Sequence, residues 1–286
     1  MVRTALEAGT VLDRRYEILG IIGRGSFGTV YEARDLLAGG PEGAVNQPPV
    51  VALKQMPVQS IIDCERQYDV RMLLRHPAIP RILGYFSEGE SAYLVQERVQ
   101  GWDLETVLLR QRGFLSEKTV VGWAIQLCDF LHYLHTHPYY PMIFRDMKPN
   151  NVMVDRSDRL HVVDFGLARI FPPGYIERPQ PPFEHLRRGL PIGTQGYAPP
   201  EQYEGYICLQ SDIYALGATL HHLLTRRDPR KDSPASFEKV PVRSLNPQIS
   251  RELEAIVMKA VDVDAAKRYE SARAMQKELE WIKYPG

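Results

Sequence analysis

At 286 residues the chain is long enough for one large domain or for two lobes sharing a cleft. A hydrophobic content of 44% and a charged content of 24% point to a packed core, while 35 basic against 35 acidic residues leave no electrostatic footprint for nucleic acid or an acidic membrane. Three scattered cysteines, Cys64, Cys128 and Cys208, without metal-ligand or disulfide spacing, suit a reducing cytoplasm. Met1 to Gly9 has no signal-like apolar run, and no stretch reaches the about 20 apolar residues of a membrane helix.

In chain order, Tyr16 to Tyr31 surrounds a glycine cluster with β-branched and aromatic residues, and Val50 to Gln55 is a second apolar run; both predict strands. Ala38 to Pro49, rich in Gly and Pro, predicts an exposed loop. Ile61 to Leu74 has helical spacing and is stopped by His76 and Pro77, after which Ile82 to Phe86 and Ala92 to Val99 read as strands. A mostly β unit with one helix is therefore expected before Gln100 to Trp102, where the composition shifts. Beyond it, Asp103 to Gln111 and Lys118 to His135 are helical, the second started by Ser116 and Glu117. Val152 to Val154 and Leu160 to Val163 predict a small hairpin. Arg169 to Gly193, dense in proline, predicts a long surface loop. Ser211 to Thr225, Ser250 to Val261 and Ser271 to Ile282 return to helix, and no internal repeat is visible.

The chemistry concentrates in Phe144 Arg145 Asp146 Met147 Lys148 Pro149 Asn150 Asn151, followed by Asp164 Phe165 Gly166. Asp146 can take a proton from a hydroxyl, Lys148 can neutralise phosphoryl charge, and Asn151 with Asp164 offers hard oxygen ligands suited to magnesium. Upstream, Gly23 Arg24 Gly25 Ser26 Phe27 Gly28 Thr29 Val30 lies between strand-like runs, where backbone amides can approach phosphate oxygens and Phe27 can cover the site. No helix follows Gly28, which excludes the dinucleotide fingerprint. In Val51 Ala52 Leu53 Lys54 a lysine stands inside an apolar strand, a costly place unless its charge meets a partner. Together these parts describe a phosphoryl transferase.

From about Leu12 to Ile282 the chain resembles the eukaryotic-type (Hanks-type) serine/threonine protein kinases of bacteria, with their motifs in order. The resemblance implies an α+β, two-lobed protein kinase fold, with a small antiparallel β lobe holding one helix (12–99), a larger helical lobe (100–286) and an N-terminal extension (1–11). It implies transfer of the γ-phosphoryl of Mg-ATP, with Mn2+ as a substitute, to a protein Ser/Thr hydroxyl. Lys54 would hold the α and β phosphates, Asp146 act on the substrate hydroxyl, Lys148 contact the γ-phosphate, and Asn151 and Asp164 ligate the metal. Gly23, Gly25, Ser26, Phe27 and Gly28 would cover the phosphates. Gln96 would be the gatekeeper, Glu97 and Val99 the adenine-binding backbone and Asp103 the ribose contact, with Val30, Ala52 and Met153 around the ring. Lys148, two positions after Asp146, marks serine/threonine specificity.

By the same resemblance, Gly193 to Glu201 docks the substrate peptide, with Thr194 hydrogen-bonded to Asp146 and Lys148. Glu201 would pair with Arg268, and Asp212 would brace the backbone of Phe144 and Arg145. Phe144 replaces the usual histidine and packs as core. The pattern departs from the family at two places. The helix acid expected to face Lys54 is not plain: counting back from His76 lands on Gln67, which would put Arg71 at a usually apolar core position, whereas local pattern favours Asp69, with Glu65 a third candidate. Between Ile170 and Gly193 there is no Ser or Thr, only Tyr175, with Glu177 and Glu184 as candidate phosphate mimics. Alternatives to the kinase reading are a pseudokinase-like nucleotide-binding scaffold and a small-molecule phosphotransferase, the latter disfavoured by the peptide-docking segment. Oligomeric state is open.

Overall fold

The computed structural model describes residues 5–25, 28–38, 48–171, 193–206, 208–231 and 237–282. Its contacts divide the chain into two units, Met1–Gln100 and Gly101–Gly286.

The first unit is built on a six-stranded antiparallel sheet of β1 (Val11–Leu12), β2 (Tyr16–Gly25), β3 (Gly28–Asp35), β4 (Val50–Pro57), β5 (Ile82–Glu88) and β6 (Ser91–Glu97), in the order β1-β2-β3-β4-β6-β5. Strand β4 is buried from Val51 to Met56, so both its faces are covered. On one face Leu12, Tyr16, Ile18, Tyr31, Val51, Leu53, Tyr93 and Val95 form a core, with Phe86 stacked between Tyr16 and Tyr93 at centroid distances of 5.5 and 4.8 Å. The buried Gln55 amide is satisfied on that face. It accepts from Tyr31 OH (3.2 Å) and donates to Ser91 Oγ (2.9 Å) and Tyr93 OH (3.3 Å). Residues 5–10 are tied to the same sheet by Leu6 N–H to Tyr31 OH (3.1 Å) and Gly9 N–H to the Ile18 carbonyl (2.8 Å).

The helix α1 (Ile61–Leu73) covers the other face, where Cys64 packs with Met56, Ile82, Ala92 and Leu94. It ends as Leu74 turns extended, before His76 and Pro77 are reached. Helical spacing sets its inner face: Gln67 is 7% exposed and Arg71 3%, whereas Asp69 and Glu65 are exposed. The expectation that Asp69 supplies the inward acid is therefore corrected. Asp69 lies two positions from Gln67, about 200° around the helix. Arg71 does not exclude the Gln67 register either, since it is accommodated inside: its Nη1 donates to Gln96 Oε1 (3.0 Å) and its Nη2 to the Pro80 carbonyl (2.8 Å).

The second unit is mainly helical: α2 (Leu104–Arg110), α3 (Glu117–His135), α4 (Pro200–Tyr203), α5 (Leu209–Thr225), α6 (Val242–Leu245), α7 (Arg251–Ala260) and α8 (Ala272–Glu280). Ser116, Ser250 and Ser271 cap α3, α7 and α8, each accepting from the N–H three residues on. Helix α5 begins two residues before the expected Ser211, capped by a reciprocal Cys208–Ser211 box, and is buried from Ser211 to Thr225. It packs against α3 and α7, and α3 packs against α8.

The expected hairpin is present as β9 (Val152–Asp155) and β10 (Leu160–Val162), but β9 also pairs with β7 (Gly101–Asp103). A second short pair, β8 (Met142–Ile143) with β11 (Arg169–Ile170), joins segments distant in sequence. The sequence reading lacked β7, β8 and β11, since runs of two or three residues show no period. Most of the loops expected at Ala38–Pro49 and Arg169–Gly193 falls outside the described residues.

Candidate active site

The segment Phe144–Asn151 is held by buried polar groups of the second unit. Asp212, with no exposed surface, accepts from Phe144 N–H and Arg145 N–H, both at 2.7 Å, and lies 2.8 Å from His135 Nε2. Two carbonyls are tied as well: Gln202 Nε2 donates to Arg145 O (3.1 Å) and Thr219 Oγ1 to Met147 O (3.2 Å). Arg145 has φ of 71°, a left-handed conformation that costs a non-glycine residue about 1–2 kcal/mol. The fixed N–H and C=O groups on both sides of it sustain that strain. Phe144 is fully buried, edge-on to Phe130 and Phe165, so it packs as core in the way expected.

This bracing presents the Asp146 carboxylate to a ring of donors. Oδ1 accepts from Lys148 Nζ (3.0 Å) and Thr194 Oγ1 (2.7 Å); Oδ2 accepts from Lys148 Nζ (2.8 Å) and Asn151 Nδ2 (2.7 Å). Lys148 Nζ also reaches Thr194 Oγ1 at 2.7 Å, and Asn151 Nδ2 reaches the Asp146 carbonyl at 2.9 Å. An ionised carboxylate only accepts, and its two oxygens have about four lone-pair sites, so such donors fix its orientation as well as its charge. The result is a carboxylate held in one orientation with a cation beside it.

Hairpin β9–β10 returns the chain so that Val163 N–H donates to the Asn151 carbonyl (3.0 Å), which brings Asn151 beside the Asp164 segment. The Asn151 NH2 donates to Asp146 twice, so the amide's remaining function is its side-chain oxygen, an acceptor. Asp164 Oδ1 accepts from Gly166 N–H at 2.9 Å. An amide oxygen and a carboxylate are hard donors of the kind magnesium takes, and they fit that ion as part of a shell shared with phosphate oxygens. Among the described residues no group of three or more His, Cys, Asp and Glu is arranged so that it could hold a metal ion by itself.

The segment Gly193–Glu201 is anchored from below. Arg268, with a fully buried side chain, grips Glu201 through both terminal guanidinium nitrogens (2.7 and 3.0 Å) and also donates to the Gln210 carbonyl (3.0 Å). Ser211 Oγ adds a bond to Glu201 at 2.9 Å. Tyr197 OH meets His222 Nδ1 at 2.7 Å; burial pushes the Tyr197 hydroxyl's pKa up and holds His222 down at about 4. The Arg145 guanidinium, by contrast, is pushed below its ordinary pKa by burial and by the nearby Arg169 charge.

The residues expected around the nucleotide fall in both units. In the first, β-sheet register sets Gly23 opposite Val30, Val30 opposite Lys54 and Ala52 opposite Gln96. Ala52, Lys54, Gln96 and Val99 are buried, at 4, 8, 7 and 8% exposure. Gly25 faces Gly28. Gly28 has φ of 142°, and a Cβ there would sit 1.8 Å from the Gln55 carbonyl oxygen, so no other residue fits. Ser26 and Phe27 lie outside the described residues, as do Tyr175, Glu177 and Glu184. The Glu97 carboxylate accepts from Arg81 N–H at 3.2 Å. In the second unit Asp103 lies opposite Met153, and its two oxygens accept from Thr106 N–H (2.8 Å) and Oγ1 (2.7 Å), which caps α2. Sequence reasoning missed this cap, and it also missed His135, Gln202 and Thr219. The first is signalled by Asp103 followed three residues on by Thr106; the others act through contacts that no local pattern announces.

A small sheet lobe with a buried strand lysine, and a helical unit presenting a braced aspartate, lysine and asparagine, define a phosphotransferase of the protein kinase class. The chain belongs to that family: the protein kinase domain model matches residues 16–281. Among relatives, it is 28% identical to serine/threonine-protein kinase B of Synechocystis sp., across 96% of this chain and 47% of the relative. It is 32% identical to serine/threonine-protein kinase PknA of Nostoc sp. (96% and 49%), and 28% identical to serine/threonine-protein kinase PrkC of Bacillus subtilis (95% and 41%). The chain thus spans about half the length, or less, of these curated relatives. In fold it is similar to the kinase domain of Mycobacterium tuberculosis PknI, with a TM-score of 0.72 over 97% of this chain and 98% of that one at 20% identity.

Proposed function

We propose that this protein transfers the γ-phosphoryl group of Mg-ATP to serine or threonine hydroxyls of a protein substrate, with Mn2+ able to substitute. The observation that carries the reading is the Asp146–Lys148–Thr194–Asn151 cluster, in which one carboxylate is fixed by three side chains. Asp146 orients the acceptor hydroxyl and takes its proton, and Lys148 offsets charge on the γ-phosphate. Lys54 holds the α and β phosphates, while Glu97 and Val99 present backbone to the adenine. Val30, Ala52 and Met153 surround the ring, Asp103 serves the ribose, and glycines 23, 25 and 28 admit the phosphates. Magnesium, held by Asn151 and Asp164, would neutralise phosphate charge. Catalysis of this kind is positioning plus electrostatic stabilisation, with turnover of about 1–100 s⁻¹. The names of the relatives support the Ser/Thr acceptor.

The catalytic domain runs over 12–286, with lobes 12–99 and 100–286. We place its activity in the cytoplasm, with ATP and a protein as partners. The free cysteines, two buried and one half-buried, support a reducing compartment, and among the described residues no helix is long and apolar enough to cross a membrane. The test is incubation with labelled Mg-ATP and a generic protein substrate beside an Asp164→Ala variant. Label on Ser or Thr that depends on Asp164 is expected. Nucleotide binding without transfer would replace the reading with a scaffold, and transfer only to a small alcohol or aminoglycoside would replace it with a small-molecule kinase.

A further inference from the structure

Helix α1 turns a cation inward. Arg71 is 3% exposed on the face that packs over β5 and β6, an environment in which arginine is rare unless acceptors are placed for it. Two are: the Gln96 side-chain oxygen at 3.0 Å and the Pro80 carbonyl at 2.8 Å. Both flank backbone that the proposed function assigns to adenine. Gln96 lies opposite Ala52 on β4 and Ile82 on β5 and directly precedes Glu97. Arg81, next to Pro80, exchanges two hydrogen bonds with Glu97: its carbonyl accepts from Glu97 N–H at 2.8 Å, and its own N–H donates to Glu97 Oε2 at 3.2 Å. One guanidinium therefore joins three segments: the helix, the turn at Pro80 and the end of β6.

We propose that Arg71 is a positioning residue for the nucleotide, an inference that rests on the kinase reading above. By clamping Gln96 and Pro80 to α1 it holds the Glu97–Val99 backbone in register. It also fixes the Gln96 amide: with the oxygen taken up by Arg71, Gln96 meets a ligand through its NH2, as a donor. The two bonds are charge-assisted and buried, so removing Arg71 strands two acceptors, while removing Gln96 deprives a buried cation of a partner. Replacing both by apolar groups removes the mismatch between the two side chains but still leaves the Pro80 carbonyl without this donor.

The test compares wild type, Arg71→Met, Gln96→Met, the double variant and Arg71→Lys as full chains. The readouts are the Kd of a fluorescent ATP analogue, and kcat and KM for ATP and for the protein substrate. Arg71→Met is expected to raise Kd and the KM for ATP roughly tenfold with little change in the KM for protein, and Gln96→Met at least as much. The double variant is expected to lose about as much as the worse single variant, because both act through one clamp, and Arg71→Lys, which keeps a donor nitrogen, to lie between wild type and Arg71→Met. Wild-type affinity in Arg71→Met, or single losses that multiply in the double variant, would overturn the proposal. If Arg71→Met fails to fold, Arg71→Lys and Gln96→Met decide it, an unchanged Kd in both counting against. An unmutated protein that binds no nucleotide would overturn the kinase reading and this inference with it, a failure visible before any variant is made.

Discussion

Replacing Asp212 by alanine strands three donors at once: the N–H groups of Phe144 and Arg145 and His135 Nε2, all within 2.8 Å of its carboxylate at a site with no exposed surface. A buried donor left without an acceptor costs about 1–3 kcal/mol, and a water admitted by the truncation recovers part of this. The expected loss is on the order of 3–6 kcal/mol, a large share of the ~5–15 kcal/mol that holds a typical domain together. Activity should fall further than stability accounts for. Arg145 sits at φ of 71° and borders Asp146, so once its N–H is released the strain relaxes and the acid moves. Urea unfolding gives the first quantity, and kcat measured well below the melting temperature gives the second. A stability change under about 1 kcal/mol, together with an unchanged kcat, would refute the claim that Asp212 sustains this backbone.

Gly28→Ala should cost about 1–3 kcal/mol through strain at φ of 142° and force β3 away from the Gln55 carbonyl, raising the KM for ATP with a lowered melting midpoint. Acid should weaken the fold through His221 and His222, each held by burial at about 4 against an ordinary 6.5. As pH falls the unfolded chain takes up these protons first, so their contribution is complete above 6.5 and is lost toward about 4, at ~1.4 kcal/mol per pH unit for each histidine. A His222→Gln variant should show a shallower loss between about pH 6 and pH 5 in denaturant titrations, and an identical slope would contradict this. Because 171–192 contains no Ser or Thr, exhaustive phosphatase treatment should leave the specific activity unchanged; mass spectrometry finding an essential phosphosite there would reject the idea.

The sequence made the catalytic segment legible because its chemistry is local: Asp146, Lys148 and Asn151 lie within six consecutive residues, and Ser116 announced its helix by capping it. Strands β7, β8 and β11 were not legible, since two or three residues become a strand only through a partner far along the chain. The α1 helix shows a different failure. Acid identity favoured Asp69, yet helical spacing alone puts Gln67 and Arg71 inward. A charge at a core position looked like an error of register only because its acceptors, Gln96 and Pro80, could not be seen from the helix itself.

Helix α5 has no wet face from Ser211 to Thr225. Its side chains contact protein rather than water, and the acid sensitivity of His221 and His222 is the route by which solvent conditions reach it. Asp212 within the helix holds the Phe144 and Arg145 N–H groups, so a substitution at that position acts on the backbone that carries Asp146.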